Sequence, residues 1–260
     1  MDLGLEGKNA LVTGGSRGLG RQSALALAAE GCNVAICARN EETLRKTEAE
    51  LRALGRGKAV GLVADLSDPT QANPLFDAAE ASLGRIDILV NNVGGRRGSG
   101  TGWEATTLQD IQATFDINVW VAYALIRRAI PGMKERRWGR IINISSVFGR
   151  EYGGALAYMM AKAAVIAMSK SLAVELAPHN VLVNSVAPGS IQHPGGTWER
   201  FVQTQSPEVV KEFISRNLPM GRFGWPEPVG RLVAFLASDV ADLITGASIN
   251  IDGGQSRSLI

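Results

Sequence analysis

The chain has 260 residues, of which 45% are apolar, 20% charged and 6% aromatic. That is ample material for one sizeable α/β core and excludes a disordered chain, since single cores grow to roughly 250–300 residues. With 27 basic against 25 acidic residues the net charge is +2, which excludes the clustered basic excess of a nucleic-acid or membrane-surface binder.

The opening residues, MDLGLEGKNA, lack a basic stretch followed by an apolar one, so no signal peptide is expected. No uninterrupted run reaches the ~18 apolar residues of a membrane span. A soluble, cytoplasmic protein is the expectation. Strands are predicted at 9–13, 33–38, 58–64, 86–91, 139–145, 181–187 and 247–251. Helical patterns lie between them, at about 18–30, 40–54, 70–83, 107–131, 155–177, 198–217 and 227–238. Most strands are continuous Val/Ile/Leu runs, the pattern of strands covered on both faces. Repeated strand–helix–strand units predict right-handed crossovers and a doubly wound parallel sheet. No linker, charge block or repeat divides the chain, so residues 1–260 are expected to form one domain.

The first strand runs straight into Gly14-Gly15-Ser16-Arg17-Gly18-Leu19-Gly20 and a helix. Glycines allow a tight turn and close backbone approach, and the helix N-terminus offers N–H groups and a positive dipole end, which suits a diphosphate. No Gly-Lys-Ser/Thr is present, so a nucleotide-triphosphate loop is disfavoured. The approach to the second strand carries Cys32 and the strand itself Cys37. Five residues of extended chain span roughly 16 Å, too far for a disulfide, so both are read as buried free thiols. The second strand ends at Ala38-Arg39, where an NAD-selective site would place an acidic residue against the ribose 2′-hydroxyl. Arg39 and Arg17 instead suit a 2′-phosphate, which predicts NADP(H) over NAD(H).

Two turn-rich segments, 94–103 and 188–198, follow the carboxyl ends of the fourth and sixth strands, the edge at which open α/β sheets bind ligands. They are read as an active-site rim, with an insertion at about 188–217. The fifth strand ends at Ser145-Ser146, where a hydroxyl can hydrogen-bond a substrate oxygen as negative charge develops. Tyr158 and Lys162 are four apart on a predicted helix and so share one face. A neighbouring ammonium favours phenolate, which would bring a phenol of pKa ~10 toward neutral pH as an acid–base. Two histidines with strand-bound cysteines form no ligand spacing, so no metal is expected. His179, at a helix end, is read as complementing the dipole.

Taken together, TGGSRGLG (13–20), Asp65, NNVG (91–94), Asn118, ISS (144–146), YMMAK (158–162), NSVAPG (184–189) and IDGG (251–254) resemble the short-chain dehydrogenases/reductases over essentially the whole chain. The resemblance implies a single Rossmann domain with a seven-stranded parallel sheet flanked by helices. It implies catalytic Asn118, Ser146, Tyr158 and Lys162, with Asn118 positioning a water that leads to the lysine. Cofactor contacts are expected from Gly14, Ser16, Arg17, Gly18, Leu19, Gly20, Arg39, Asp65, Leu66, Asn91, Val93, Gly94, Tyr158, Lys162, Pro188, Gly189 and Ile191. Substrate contacts are expected from Arg96, Ser146, Tyr152, His193 and Trp198. Val93 departs from the usual alanine, and Ser190-Ile191-Gln192-His193 stands where a cofactor-touching threonine is common.

The expected reaction is hydride transfer between NADP(H) and a ketone or secondary alcohol, with Tyr158 as acid–base. A 3-oxoacyl thioester reductase, an NAD(H)-dependent dehydrogenase of a sugar, diol or steroid-type alcohol, and a dinucleotide-binding regulator without turnover are the alternatives. The retained Asn118, Ser146, Tyr158 and Lys162 favour an enzyme over the regulator. A homotetramer, or a dimer, is expected through the 107–131 and 155–177 helices and the C-terminal strand region, and the tail SRSLI is expected to reach a neighbouring subunit.

Overall fold

The computed structural model describes residues 2–98 and 100–259. Met1, Ser99 of the first rim segment and Ile260 of the SRSLI segment lie outside the described residues. Seven strands, β1 (Asn9–Thr13), β2 (Asn33–Ala38), β3 (Ala59–Val63), β4 (Ile88–Asn91), β5 (Gly139–Ile144), β6 (Val181–Pro188) and β7 (Ser248–Ile251), form one sheet in the order β3-β2-β1-β4-β5-β6-β7. All six pairings are parallel. Strand order reverses between β1 and β4, so their carboxyl ends open a crevice of the kind that holds ligands.

Alternation along each strand feeds two apolar layers. Ala10, Val12, Val34, Ile36, Ile88, Val90, Ile142 and Ile144 face one layer. There they meet α1 (Gly18–Ala29), α2 (Glu41–Ala53) and α9 (Pro226–Ala237). Leu11, Ala35, Cys37, Leu89, Ile141 and Val183 face the other. Its helices are α3 (Ala72–Leu83), α5 (Val121–Arg136) and α6 (Leu156–Leu176). Cys32 and Cys37 are buried and free, and burial pushes both thiols up to about 12. That disfavours the nucleophilic thiolate.

Helix starts follow local chemistry. The Asn40 side chain accepts the Thr43 N–H at the start of α2, and Ser206 followed by Pro207 opens α8 (Pro207–Asn217). Thr107 and Asp110 form a capping box before α4 (Leu108–Phe115). Helix α1 is different: Arg17 precedes it in extended conformation, and no side chain caps it. Its first N–H groups face the strand-to-helix turn, where an anion can take them.

Two helix expectations need correction. The 107–131 helix is two helices, α4 and α5, joined by a π-helical turn at Asp116–Trp120. It also runs past Pro131 to Arg136. The 198–217 helix is α7 (Thr197–Thr204) and α8, broken where Gln205 and Ser206 turn extended before Pro207. The segment Leu156–His179 is apolar and long enough to cross a membrane by composition alone. Its residues Ala161, Val165, Ala173 and Leu176 are buried within the fold.

Candidate active site

The glycine turn is built by close backbone approach. A Cβ on Gly20 would stand 2.3 Å from the Gly14 carbonyl oxygen, and Gly14 and Gly18 have φ of 66° and 56°. Larger side chains at these positions are therefore excluded by contact or by strain. The turn is braced from the fourth strand. Asn92 Nδ2 donates to the carbonyls of Thr13 (2.8 Å) and Gly14 (3.3 Å), while Thr13 Oγ1 accepts the N–H groups of Asn92 and Val93. Neither Thr13 nor Asn92 was among the sequence candidates. The sequence signal for them is their place in the motifs TGGSRGLG (13–20) and NNVG (91–94).

At the neighbouring strand ends, Arg39 lies 3.9 Å from Asp65, and both are exposed. The Ser67 N–H holds the Asp65 carboxyl below its usual range, with Arg39 adding to the effect. Leu66 is core, not surface: its side chain is 3% exposed beneath the sheet. Asn91 is also buried, and its amide donates to Asn143 Oδ1 at 2.8 Å. Its own Oδ1 has no partner among the described residues, an acceptor left over beside the crevice.

Lys162 is 3% exposed, and its ammonium donates to the Ile144 carbonyl at 2.8 Å. Ser145 Oγ donates to the Lys162 carbonyl at 2.9 Å. Gly149 lets the loop after Ser146 press onto α6, because a Cβ there would stand 2.7 Å from the Lys162 backbone. Gly94 does the same from the other side: its Cβ would lie 2.9 Å from Lys162 Nζ and 2.5 Å from Asn118 Oδ1. Asn118, in the π-helical turn, donates to the carbonyls of Gly95 and Thr114 and accepts the Gly95 N–H. Its side chain is thus committed to clamping the exit of β4.

Tyr158 is half-buried on α6, with Lys162 Nζ 5.6 Å from its ring centroid. Ser146 is buried and opens the short helical turn Val147–Gly149 by accepting the Phe148 N–H. The expected fall of the tyrosine pKa is not what this geometry produces. Burial raises the Tyr158 phenol above its ordinary value, and the Ser146 hydroxyl only partly opposes it. The ammonium lies over the ring face and spends a proton on Ile144, and burial lowers its own pKa to about 8. Both shifts run toward the neutral form, because both groups have lost water, yet an ammonium with a pKa of about 8 still carries its charge at neutral pH.

The substrate-side candidates are spread along the rim. Tyr152 is 92% exposed and Arg96 is exposed. Trp198 packs on Phe201, Phe213 and Phe223, with ring centroids 4.8–5.7 Å away, and so ties α7 to α8. Ile191 is core, bridging to Gly224. His193 lies across the crevice instead: its ring atoms are 2.6–2.9 Å from where a Gly18 Cβ would be. That puts His193 over the glycine turn, together with Gly195, which approaches Arg17. No group of three metal-ligating side chains occurs among the described residues.

Comparison with known proteins adds four findings. Residues 14–256 match the family model described as enoyl-(acyl carrier protein) reductase. The 3-oxoacyl-(acyl-carrier-protein) reductase of Aquifex aeolicus is 37% identical over 98% of this chain and all of that one. An NADPH-dependent reductase of Bacillus subtilis is 33% identical over 97% and 99%. Among solved structures, L-sorbose reductase from Gluconobacter frateurii, complexed with NADPH and L-sorbose, superposes with a TM-score of 0.91 at 29% identity, covering both chains completely.

The lowered Lys162 pKa has a consequence for stability. The folded state binds fewer protons than the unfolded chain between about 8 and the ordinary 10.5. Lys162 therefore contributes stability that rises with pH across that window, by up to about 3 kcal/mol, while the raised pKa values of Cys32, Cys37 and Tyr158 act in the opposite sense. In urea denaturation at stepped pH, Lys162→Met is expected to remove this contribution, read as the difference from the wild-type profile across the same window; parallel profiles would contradict the burial of a titrating ammonium.

Proposed function

The chain belongs to the short-chain dehydrogenase/reductase family, and from that premise we propose that it reduces a ketone to a secondary alcohol with NADPH. The observation that carries the reading is one edge of a parallel sheet holding an uncapped helix N-terminus behind a glycine turn, a buried ammonium, a phenol and a serine hydroxyl. The residues fit a dinucleotide. Gly14, Gly18 and Gly20 leave a cradle that Cβ atoms would fill, and Asn91 Oδ1 is an acceptor without a partner among the described residues. When bound, the reduced nicotinamide supplies the hydride to the carbonyl carbon.

The chain's own groups supply the rest. The α1 N–H groups would hold the diphosphate, and Arg39 and Arg17 would meet the 2′-phosphate, for which a guanidinium is well shaped. Ser146 Oγ–H hydrogen-bonds the substrate oxygen and stabilises the charge that develops there. Tyr158 gives its hydroxyl proton to that oxygen, and a phenol kept neutral by burial is fully stocked to do so at neutral pH. Lys162 stabilises the resulting phenolate and binds the nicotinamide ribose. Asn118 keeps the β4 exit, and with it Gly94, against the lysine.

A 3-oxoacyl thioester is the second reading of the substrate, favoured by the 37% identity to the Aquifex aeolicus reductase. The protein assembles as a homotetramer or dimer through α5 and α6, supported by Trp120, Tyr123, Met160 and Val174, which these neighbouring segments leave 41–69% exposed. It works in the cytoplasm, in keeping with two reduced cysteines.

Tyr158→Phe is expected to lower kcat for ketone reduction at least ~100-fold while NADPH binding, read by its fluorescence, is retained. Near-wild-type turnover would refute the assignment. Arg39→Ala combined with Arg17→Ala should raise KM for NADPH at least ~10-fold and leave KM for NADH within about twofold, since the lost partners address the 2′-phosphate, which NADH lacks. Equal losses with both cofactors would remove the basis for NADP(H) selectivity.

A further inference from the structure

Strands β5, β6 and β7 are neighbours and parallel, so the segments leaving them emerge together at the edge that carries Ser146 and Tyr158. Two of these segments are the rims of the site: Ser146 to Tyr158 after β5, and Pro188 to Gly196 after β6. The third, residues 252–258 after β7, is bonded to both. Glu151 Oε2 accepts the Ser256 hydroxyl at 3.1 Å and the N–H groups of Arg257 and Ser258 at 2.9 Å each. Next to it, the Arg150 guanidinium donates to the Ser248 carbonyl. On the other side, Gln255 Oε1 accepts the N–H of Ser190, which is buried, at 2.7 Å.

The crossing is close. A Cβ on Gly189 would stand 2.6 Å from Gln255 Oε1 and 2.7 Å from Asp252 Cβ. Only a glycine lets this segment lie directly on the backbone beside Pro188. The segment is itself folded for the purpose. Asp252 accepts the N–H groups of Gly254 and Ser256, which turns the chain so that Gln255 points at one rim while Ser256–Ser258 reach the other. Ser256–Ser258, the first residues of the tail expected to reach a neighbouring subunit, make these contacts within their own chain.

We propose that residues 252–258 are a strap that holds the two rims at a fixed separation, with Glu151 and Gln255 as positioning residues for the carbonyl substrate. The strap's hydrogen bonds go to Glu151 and Ser190, on the two rims beside Ser146 and Tyr158, so it acts on the substrate side of the site. The inference rests on the reductase reading of the same site. Physically, a charged acceptor taking three donors makes the Glu151 clasp strong, and the buried Ser190 N–H would be orphaned without Gln255. Loosening either clasp lets a rim move by about an ångström, which is enough to spoil a near-attack geometry.

The test uses the full-length protein and the variants Glu151→Ala, Glu151→Gln and Gln255→Ala. Each alanine variant is expected to lose at least ~10-fold in kcat/KM for a ketone while its NADPH dissociation constant, read by fluorescence, stays within about twofold. Glu151→Gln, which keeps an acceptor oxygen, should recover most of the Glu151→Ala loss. Hydrogen–deuterium exchange should quicken at least ~5-fold in residues 147–155 for Glu151→Ala and in 189–192 for Gln255→Ala, with the molecular mass by light scattering unchanged. Wild-type kcat/KM in both alanine variants, unchanged exchange in the rims, or a loss that tracks NADPH affinity or dissociation of the assembly would each overturn the proposal. A wild-type protein that reduces no ketone would instead sink the reductase reading, and the exchange measurement would still judge the strap.

Discussion

Desolvation of an ammonium beside a phenol is the constraint on which the rest of this structure depends. Lys162 is 3% exposed, a placement that costs free energy unless the charge finds a partner, and the Ile144 carbonyl is that partner. Every close approach around it follows from the need to exclude water there. Gly94 and Gly149 have no side chain because a Cβ would strike the lysine or its backbone, and Ser145 fastens the Lys162 carbonyl from β5. A charge held in this low-dielectric setting acts on a developing phenolate far more strongly than it would in water. The same burial keeps Tyr158 protonated until a substrate oxygen arrives, which suits reduction.

Parallel topology then decides what else can join the pair. All seven strands point the same way, so the glycine turn after β1, the Asn92 clamp after β4, Ser146 after β5, Gly189 after β6 and the strap after β7 share one edge. The reversal of strand order between β1 and β4 leaves room for an extended ligand there. Chemistry thus comes from residues far apart in sequence whose only common feature is following the carboxyl end of a strand. The rim helices α7 and α8 are tied to one another by an aromatic cluster around Trp198, which makes them one unit over the crevice.

Local patterns were legible in the sequence. Unbroken Val/Ile/Leu runs located the strands, β1 and β2 to the residue, and the i,i+4 spacing put Tyr158 and Lys162 on one helical face. The π-helical turn was not legible, because Ile117 and Val119 stay buried through it and the apolar rhythm barely changes. Nor was the bracing role of Asn92, whose partner Thr13 is 79 residues away. The substrate side was least legible: that Trp198 packs on Phe213 and that Tyr152 is exposed follow from long-range packing that no local spacing records. The direction of the tyrosine shift was misjudged for a related reason, since charge proximity can be read from spacing but burial cannot.

The most direct test of the central claim is the ionisation of Tyr158 itself. The chain has three tyrosines, so subtracting the phenolate absorbance of Tyr158→Phe from that of the wild type, without cofactor, isolates one titration. The account predicts a midpoint above the usual phenol value of about 10. A phenolate forming below pH 8 would contradict it, because the charge of Lys162 would then outweigh desolvation.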